Sequence, residues 1–161
     1  MTCNLIAGGN NMKEYEVNDE TMAVLGIDKN NSKVYEKNNE YKLSSSSYEV
    51  MDYSCQYFGS SYSGRVDGSK RMLGANYKLP IIVEESSEMI FFPITSPENS
   101  DCIWIALKWY KDVEKTDNIT YIVLKNGKKI KTNMSKKSIE NQVMRASRLN
   151  LILNERKLTK I

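Results

Sequence analysis

The dipeptide Asn126-Gly127 is the feature that most constrains the fold of this chain. It lies between the apolar, β-branched run of residues 119–125 and the alternating run of residues 128–132. Asn-Gly readily adopts the positive φ angles of a two-residue turn whose twist matches that of paired strands, which makes it the strongest short signal for a β-hairpin. The sequence therefore predicts a hairpin here and, with it, an antiparallel sheet.

Turn-forming residues separate short apolar runs at three other places. Asn, Asp, Gly and Ser favour turns, and the runs on either side have the length of strands. Each place therefore predicts another antiparallel hairpin. The three hairpins span residues 15–27 around Asn18-Asp19-Glu20, residues 33–43 around Asn38-Asn39, and residues 81–92 around a charged loop, closed by Pro93.

The segments between these hairpins give less uniform signals. Residues 102–110 alternate in polarity at a period of two, which predicts a half-buried strand. Residues 48–57 mix the helical and the strand periods, so neither element is favoured there. Residues 64–80 contain three glycines and end at a proline, and we interpret them as a loop.

The last element that the sequence predicts is a helix beginning after Ser135 or Ser138, either of which can cap it. Apolar residues follow at a spacing of three to four. No repeat or linker divides the chain, and residues 1–11 are expected to form a flexible N-terminal tail. The prediction is an α+β fold, a β-rich single domain over residues 12–161 built from antiparallel hairpins with a C-terminal helix.

Charge is distributed unevenly along the chain. Residues 1–124 carry 12 Lys and Arg against 18 Asp and Glu, a net charge of −6, whereas residues 125–161 carry 11 against 2, a net charge of +9. A field of one sign at one end of a protein is typical of polyanion binding. The alternative is a solvated basic helix without a partner.

The residue types exclude most catalytic and metal chemistry. The chain has no histidine, and its three cysteines lack Cys-x-x-Cys spacing, so neither a zinc site of ordinary composition nor a histidine-based triad can form. Glu84 and Glu85 fall in a predicted hairpin loop and are expected to be solvated charges. We therefore expect a protein that is not an enzyme and binds no metal or cofactor.

The chain shows no signal for a membrane or for export. No apolar run approaches the roughly 20 residues of a membrane helix. The N-terminus lacks the basic start and long apolar centre of a signal peptide. A cytoplasmic protein with no membrane partner is expected.

The predicted C-terminal helix carries side chains suited to DNA. Arg, Lys, Asn and Gln probe the width of the minor groove and its A·T-versus-G·C pattern. Lys128 and Lys129 of the last hairpin could hold phosphates on either side. Arg145 could instead pair with Glu140 or Asp101, and the helix face could simply be solvated. The helix supplies Asn141, Gln142, Arg145 and Arg148.

Residues 53–65, Y-S-C-Q-Y-F-G-S-S-Y-S-G-R, combine aromatic residues with glycine, serine and one closing cation. Glycine lets a backbone come close to a partner, and Arg65 is placed to reach a phosphate or a groove. No catalytic template has this composition. The aromatic residues fit either core packing or base stacking; they are Tyr57, Phe58 and Tyr62.

Two motifs are specific in composition and spacing: F-G-S-S-Y-x-G-R at residues 58–65 and S-x-E-N-Q-V-x-R at residues 138–145. Shorter motifs accompany them in order: Tyr15-Glu-Val-Asn, Met22-Ala-Val-Leu, Pro80-Ile-Ile-Val, Ile90-Phe-Phe-Pro93, Cys102-Ile-Trp-Ile and Asn126-Gly-Lys. Together they resemble the ComK family of competence transcription factors of Gram-positive bacteria, over nearly the full chain.

The resemblance implies a sequence-specific activator that opens transcription of the genes for natural DNA uptake. It also implies recognition of paired AT-rich boxes, largely through the minor groove, by an oligomer built from dimers. Turnover through an adaptor that delivers the protein to a Clp protease is a further implication, and RNA polymerase is an expected partner. Family members extend past the helix into a tail that carries adaptor contacts, whereas this chain stops at Ile161, so we expect adaptor-dependent turnover to be lost or to use other surfaces.

The sequence thus predicts a cytoplasmic activator that binds double-stranded DNA as a dimer or a dimer of dimers. The alternative is a protein-interaction module whose basic end docks an acidic partner, or a decoy for the protease adaptor that does not itself activate transcription. The residues predicted to contact DNA are Arg65, Lys70, Arg71, Lys128, Lys129, Asn141, Gln142, Arg145 and Arg148.

Overall fold

A computed structural model describes residues 14–159, with nine strands and three helices in that range. The strands are β1 Thr21–Asp28, β2 Asn31–Glu36, β3 Glu40–Leu43, β4 Ile81–Glu84, β5 Met89–Pro93, β6 Ile103–Ala106, β7 Tyr110–Thr116, β8 Ile119–Leu124 and β9 Lys129–Thr132. The helices are α1 Ser47–Tyr57, α2 Tyr62–Leu73 and α3 Lys136–Leu158, and a single 3₁₀ turn covers Leu107–Trp109. Within these residues, no helix has both the length and the apolar character needed to cross a membrane.

The strands form two sheets. The larger has six strands in the order β3-β2-β1-β6-β5-β4, and the smaller has three in the order β7-β8-β9. Every pair of neighbouring strands is antiparallel. The predicted α+β fold, β-rich with a C-terminal helix, is confirmed.

The six-stranded sheet is the middle layer of three. On one face, Phe91 and Trp104 belong to a core that includes residues of α1. On the other face, Phe92 and Ile105 belong to a second core shared with the three-stranded sheet and α3. Successive residues of a strand point to opposite faces of a sheet, so the neighbours Phe91 and Phe92 lie in different cores. The sheet is therefore covered on both sides.

Serine side chains fix the starts of the helices. Ser46 accepts a hydrogen bond from the Glu49 backbone N–H, and the Glu49 carboxylate accepts one from the Ser46 backbone N–H, which makes a capping box for α1. Ser61 caps α2 and Ser135 caps α3. These bonds satisfy backbone N–H groups that have no partner within the first helical turn.

Three of the four predicted hairpins are confirmed, as the pairs β2–β3, β4–β5 and β8–β9. The C-terminal helix is confirmed as well, and Ser135 rather than Ser138 is its cap. Residues 48–57, which the sequence left unassigned, form most of α1. The predicted N-terminal tail lies outside the described residues.

The hairpin predicted at residues 15–27 is wrong. Tyr15 and Val17 are buried but lie outside any strand, and β1 pairs with β2 and β6 instead. The Tyr15 hydroxyl lies 2.7 Å from Thr21 Oγ1, and the Val17 N–H donates to Ser54 Oγ at 3.0 Å. Side-chain hydrogen bonds, and not a strand ladder, hold this segment on the core.

The loop predicted at residues 64–80 is also wrong, because most of it is helix α2. Glycine inside a helix costs about 1 kcal/mol relative to alanine. Contacts of Tyr62 and Val66 with the core stabilise the helix against that cost. The third glycine, Gly74, ends the helix in the left-handed conformation, with φ of 66°, which is where glycine is preferred.

The half-buried strand predicted at residues 102–110 is shorter and more buried than expected. It is reduced to β6, in which Trp104, Ile105 and Ala106 are all buried because layers cover both faces of the sheet. The chain then passes through the 3₁₀ turn into β7, a strand that the sequence analysis did not predict.

Candidate nucleic-acid interface

Helix α3 lies across the molecule with one face in the core. Ile139, Ala146, Leu149 and Leu153 are buried there at helical spacing. Gln142 lies on the same face and is only 3% exposed. A polar side chain at such a position must be hydrogen-bonded, because an unpaired buried amide is costly.

Gln142 and Arg145 meet this requirement by holding the loop of residues 74–80. The Gln142 amide donates to the carbonyl oxygens of Lys78 at 2.8 Å and Pro93 at 2.6 Å. Arg145 donates from Nη1 to the Lys78 carbonyl at 3.1 Å and to Gln142 Oε1 at 2.8 Å, and from Nη2 to the Tyr77 carbonyl at 2.6 Å. The planar guanidinium suits this set of acceptors. We call these contacts the loop clamp.

The loop clamp also answers a question left open by the sequence. Neither Glu140 nor Asp101 forms an ion pair with Arg145 in the described part of the chain. Partial burial lowers the pKa of Arg145 from its ordinary value. The guanidinium nevertheless stays charged at neutral pH, since an arginine pKa begins near 12 or above.

Beside the clamped loop lies a groove of about 540 Å³ between α2 and the loop, which we call the α2 groove. Its floor and rim carry both aromatic and basic side chains. Tyr77 is 68% exposed, and Lys78 Nζ lies 5.9 Å from the centre of its ring. Six of its lining residues are Tyr62, Lys70, Asn76, Tyr77, Lys78 and Glu98.

The aromatic residues of the 58–65 motif divide between the core and the surface. Tyr62 stacks edge-on against Tyr48 at 4.8 Å and against Trp104 at 6.0 Å between ring centres. Phe58 is half-buried against the same core, with Tyr57 edge-on to it at 5.0 Å. Tyr57 itself is exposed. Core packing therefore accounts for Phe58 and Tyr62.

The three cations predicted on the glycine-rich segment all lie on α2, in two different environments. The Arg65 side chain is 19% exposed and forms an ion pair with Glu85 at 3.6 Å. Lys70 and Arg71 lie exposed in the last turn of the helix. Within residues 14–159 neither of them forms an ion pair, so both are available to an anionic partner.

The two lysines after the Asn126-Gly127 turn lie elsewhere, Lys128 against the edge of the larger sheet and Lys129 within the smaller sheet. Lys128 forms an ion pair with Glu40, and its Nζ lies 4.0 Å from the centre of the Tyr35 ring. Lys129 pairs with Glu114 on β7 at 2.9 Å. Neither lysine lines the α2 groove.

Asn141 and Arg148 lie on the outward face of α3, opposite its buried residues. Both are exposed. Met144 lies between them in sequence and is 68% exposed. The structure thus places Lys70 in the α2 groove and the loop clamp behind it, while Asn141 and Arg148 open onto a separate surface.

Three residues that line the groove, Asn76, Tyr77 and Lys78, were not predicted from the sequence. Their signal was an aromatic residue flanked by amide and amine side chains in a polar stretch before Leu79, a pattern too common to stand out. Lys78 has a positive φ of 49°, a conformation that glycine and asparagine favour. A lysine at this position therefore does not indicate the turn of the backbone in the sequence.

Titratable side chains do not form a catalytic or metal-binding group. Burial raises the pKa of Cys55 to about 12 and that of Cys102 to about 11, so both thiols are protonated at neutral pH. In the range that the structure covers, residues 14–159, no three His, Cys, Asp or Glu side chains are arranged to hold a metal ion.

These features define a small, β-rich α+β protein in which a basic helix secures a loop beside a groove lined by Lys70, Lys78 and Glu98. Comparison with known proteins gives the family. The chain belongs to the ComK protein family, which it matches over residues 12–158. It is 35% identical over 149 residues to the competence transcription factor of Bacillus subtilis (strain 168), an alignment covering 90% of this chain and 78% of that relative. No solved structure matches the chain.

Proposed function

We propose that this protein is a DNA-binding transcriptional activator of competence genes and that it acts in the cytoplasm. Its relative in Bacillus subtilis is named a competence transcription factor, and the shared family covers nearly the whole chain. The structural observation that carries the proposal is the α2 groove, where Lys70, Asn76, Tyr77 and Lys78 open into one concavity beside the clamped loop. No catalytic step is part of the proposal.

The side chains of the α2 groove suit the minor groove of AT-rich DNA. Basic side chains are favoured in a narrow A·T minor groove because its negative potential is enhanced. Asn76 offers an amide that can pair with the acceptors on the base edges. Tyr77 adds a rigid ring that loses little conformational entropy on contact. Lys70 and the adjacent Arg71 can each contact a phosphate.

The other residues predicted from the sequence take different places in this proposal. Gln142 and Arg145 act as positioning residues, because their donors hold the backbone of Tyr77 and Lys78. Three other predicted DNA contacts form ion pairs with carboxylates: Arg65, Lys128 and Lys129. Their contact with DNA stays a prediction, and these ion pairs do not favour it. Recognition of paired boxes, contact with RNA polymerase and delivery by a Clp adaptor also stay predictions.

The test is a DNA titration with matched double variants. Lys70→Ala/Arg71→Ala removes two cations at the α2 groove, and Lys29→Ala/Lys42→Ala removes two exposed cations on the β1–β2 turn and the edge strand β3. Binding to an AT-rich duplex is measured by fluorescence anisotropy at several salt concentrations. We expect the first variant to bind more weakly and its log–log salt slope to fall by about 2, because each lost phosphate contact lowers the slope by about 1.

The control variant should bind like the unaltered protein. Equal losses in both double variants would mean that net charge, and not the α2 groove, drives binding. A flat salt slope for the unaltered protein, or no preference for AT-rich over mixed duplex, would favour the protein-interaction module.

A further inference from the structure

The outward face of α3 carries an apolar stripe that nothing in the described chain covers. Of the seven large hydrophobic side chains that are exposed within residues 14–159, three lie on this helix: Met144 at 68%, Leu151 at 58% and Leu158 at 70%. They are seven residues apart, so they lie almost in line along the helix and drift by only about 20° per repeat. With one apolar residue per heptad, the stripe is narrower than the two-residue seam of a regular coiled coil, and a second helix can cover it.

Polar residues border the stripe on both sides in a self-complementary order. Arg148 and Glu155 lie on one side of it, and Ser147 and Asn154 lie on the other, each pair again seven residues apart. Leu151 lies midway between Met144 and Leu158. A two-fold axis through Leu151 would therefore map each border onto itself.

We propose that two copies of this protein associate through α3, with the helices antiparallel and Leu151 at the two-fold axis. In this register Leu151 meets Leu151 of the second copy, and Met144 meets Leu158 of the second copy. Arg148 then lies within about 1.5 Å, measured along the helix axis, of the level of Glu155 of the second copy, on the same side of the seam. Two cross-helix ion pairs and two Ser147–Asn154 contacts flank the apolar seam.

Charge selects the antiparallel arrangement over the parallel one. In a parallel pair, Arg148 would face Ser147 and Glu155 would face Asn154, so neither charge would gain an opposite partner. The lysines at the start of the helix, Lys136 and Lys137, would also meet their own copies, and the two helix dipoles would point the same way. The antiparallel pair separates these lysines and opposes the dipoles.

This assignment changes the role of Arg148, which the sequence analysis placed in contact with DNA. Its guanidinium lies at the seam between copies, while Lys70 and the loop clamp remain on the α2 side of the helix. One helix per copy makes an interface below the roughly 1,000 Å² of tight complexes, so the association is weak and concentration-dependent. Binding of two copies to neighbouring DNA sites would strengthen it through effective concentration.

The first test is sedimentation velocity without DNA, over a range of protein concentrations. Arg148→Glu should raise the dimer dissociation constant on the order of tenfold, because two exposed attractions become two repulsions. Glu155→Arg should do the same, and the double exchange should restore association. Leu151→Asp should leave a monomer, whereas Ile27→Asp, at an exposed apolar residue on β1, should leave the dimer intact. If Leu151→Asp and Arg148→Glu both still associate like the unaltered protein, the proposal is overturned.

Disulfide formation tests the register directly in a Cys3→Ser background, where the remaining cysteines, Cys55 and Cys102, are buried. Leu151→Cys should cross-link to itself. Met144→Cys should cross-link to Leu158→Cys in a mixture but not to itself. Self-cross-linking of Met144→Cys would show a parallel pair and overturn the arrangement. The variant Lys70→Ala/Arg71→Ala should dimerise normally in this DNA-free experiment, because neither residue lies on α3. Failure of the dimer proposal can therefore be told apart from failure of the proposed DNA interface.

Discussion

At the scale of single residues, Gln142 and Arg145 direct their donors into the molecule. One amide serves two carbonyls, and one guanidinium serves two carbonyls and the oxygen of that amide. Tyr77 and Lys78, whose carbonyls they hold, are among the residues that line the α2 groove. Gln142 and Arg145, which the sequence predicted to contact DNA, therefore hold a loop in place.

Arg145 offers a test that separates positioning from charge. Arg145→Ala should weaken binding to an AT-rich duplex by about 1–3 kcal/mol. Arg145→Lys should lose much of the same affinity, because a single ammonium cannot reproduce the planar fork that reaches both carbonyls. Fluorescence anisotropy measures both, with thermal unfolding as a check on folding. Full affinity in Arg145→Lys would mean that charge alone is used, and the positioning role would be wrong.

At the scale of elements, local turn chemistry decides which parts can be predicted. The hairpins β2–β3, β4–β5 and β8–β9 follow from turn residues that act within four or five positions. Helix α2 does not, because its start depends on the Ser61 cap and its stability on burial against a distant strand layer. Strand β7 escaped prediction since its residues are largely exposed and charged.

In the turn between β4 and β5, the Glu84 carboxylate accepts hydrogen bonds from the residues that follow it. Partial burial by itself would raise the pKa of Glu84. The backbone and hydroxyl groups of Ser86 and Ser87 donate to this carboxylate and lower its pKa to about 2. Glu84, the last residue of β4, is thus ionised at neutral pH, whereas a general acid must hold its proton there.

Glu84→Gln should therefore change how stability depends on pH. A carboxylate with a lowered pKa contributes stability that is complete above its unfolded value of 4.5 and is lost as the pH falls toward about 2. The variant should be less stable near neutral pH and should lose less stability between those two values. Urea unfolding at several pH values measures this. Glu88→Gln, in the same turn, is the control, and an unchanged pH profile in Glu84→Gln would contradict the capping role.

At the scale of the whole molecule, both cores share the six-stranded sheet. A sheet that supports a helical layer on one side and a sheet-and-helix layer on the other couples the two cores, since neither keeps its shape without the strands between them. The α2 groove and the outward face of α3 lie on different parts of this framework. The proposed contact with DNA and the proposed pairing with a second copy would therefore use different surfaces.

Neighbouring residues of β4 test this coupling, because Ile81 lies in one core and Ile82 in the other. Ile81→Val and Ile82→Val should each cost about 0.5–1.5 kcal/mol. If the layers unfold together, each variant shifts one transition by the same amount in far-UV circular dichroism and in tryptophan fluorescence. Separate midpoints from the two probes in either variant would show that the layers unfold independently.

The sequence by itself determined the fold class, the hairpins marked by Asn38-Asn39 and Asn126-Gly127, and the family. These follow from turn chemistry and periodicity, which act over a few residues, and from motifs preserved in order. The tertiary structure alone decided that Gln142 faces inward, that Arg65 meets Glu85, and that Tyr77 opens into a groove. Each of these depends on which distant segment lies opposite a side chain, and local sequence carries no record of that.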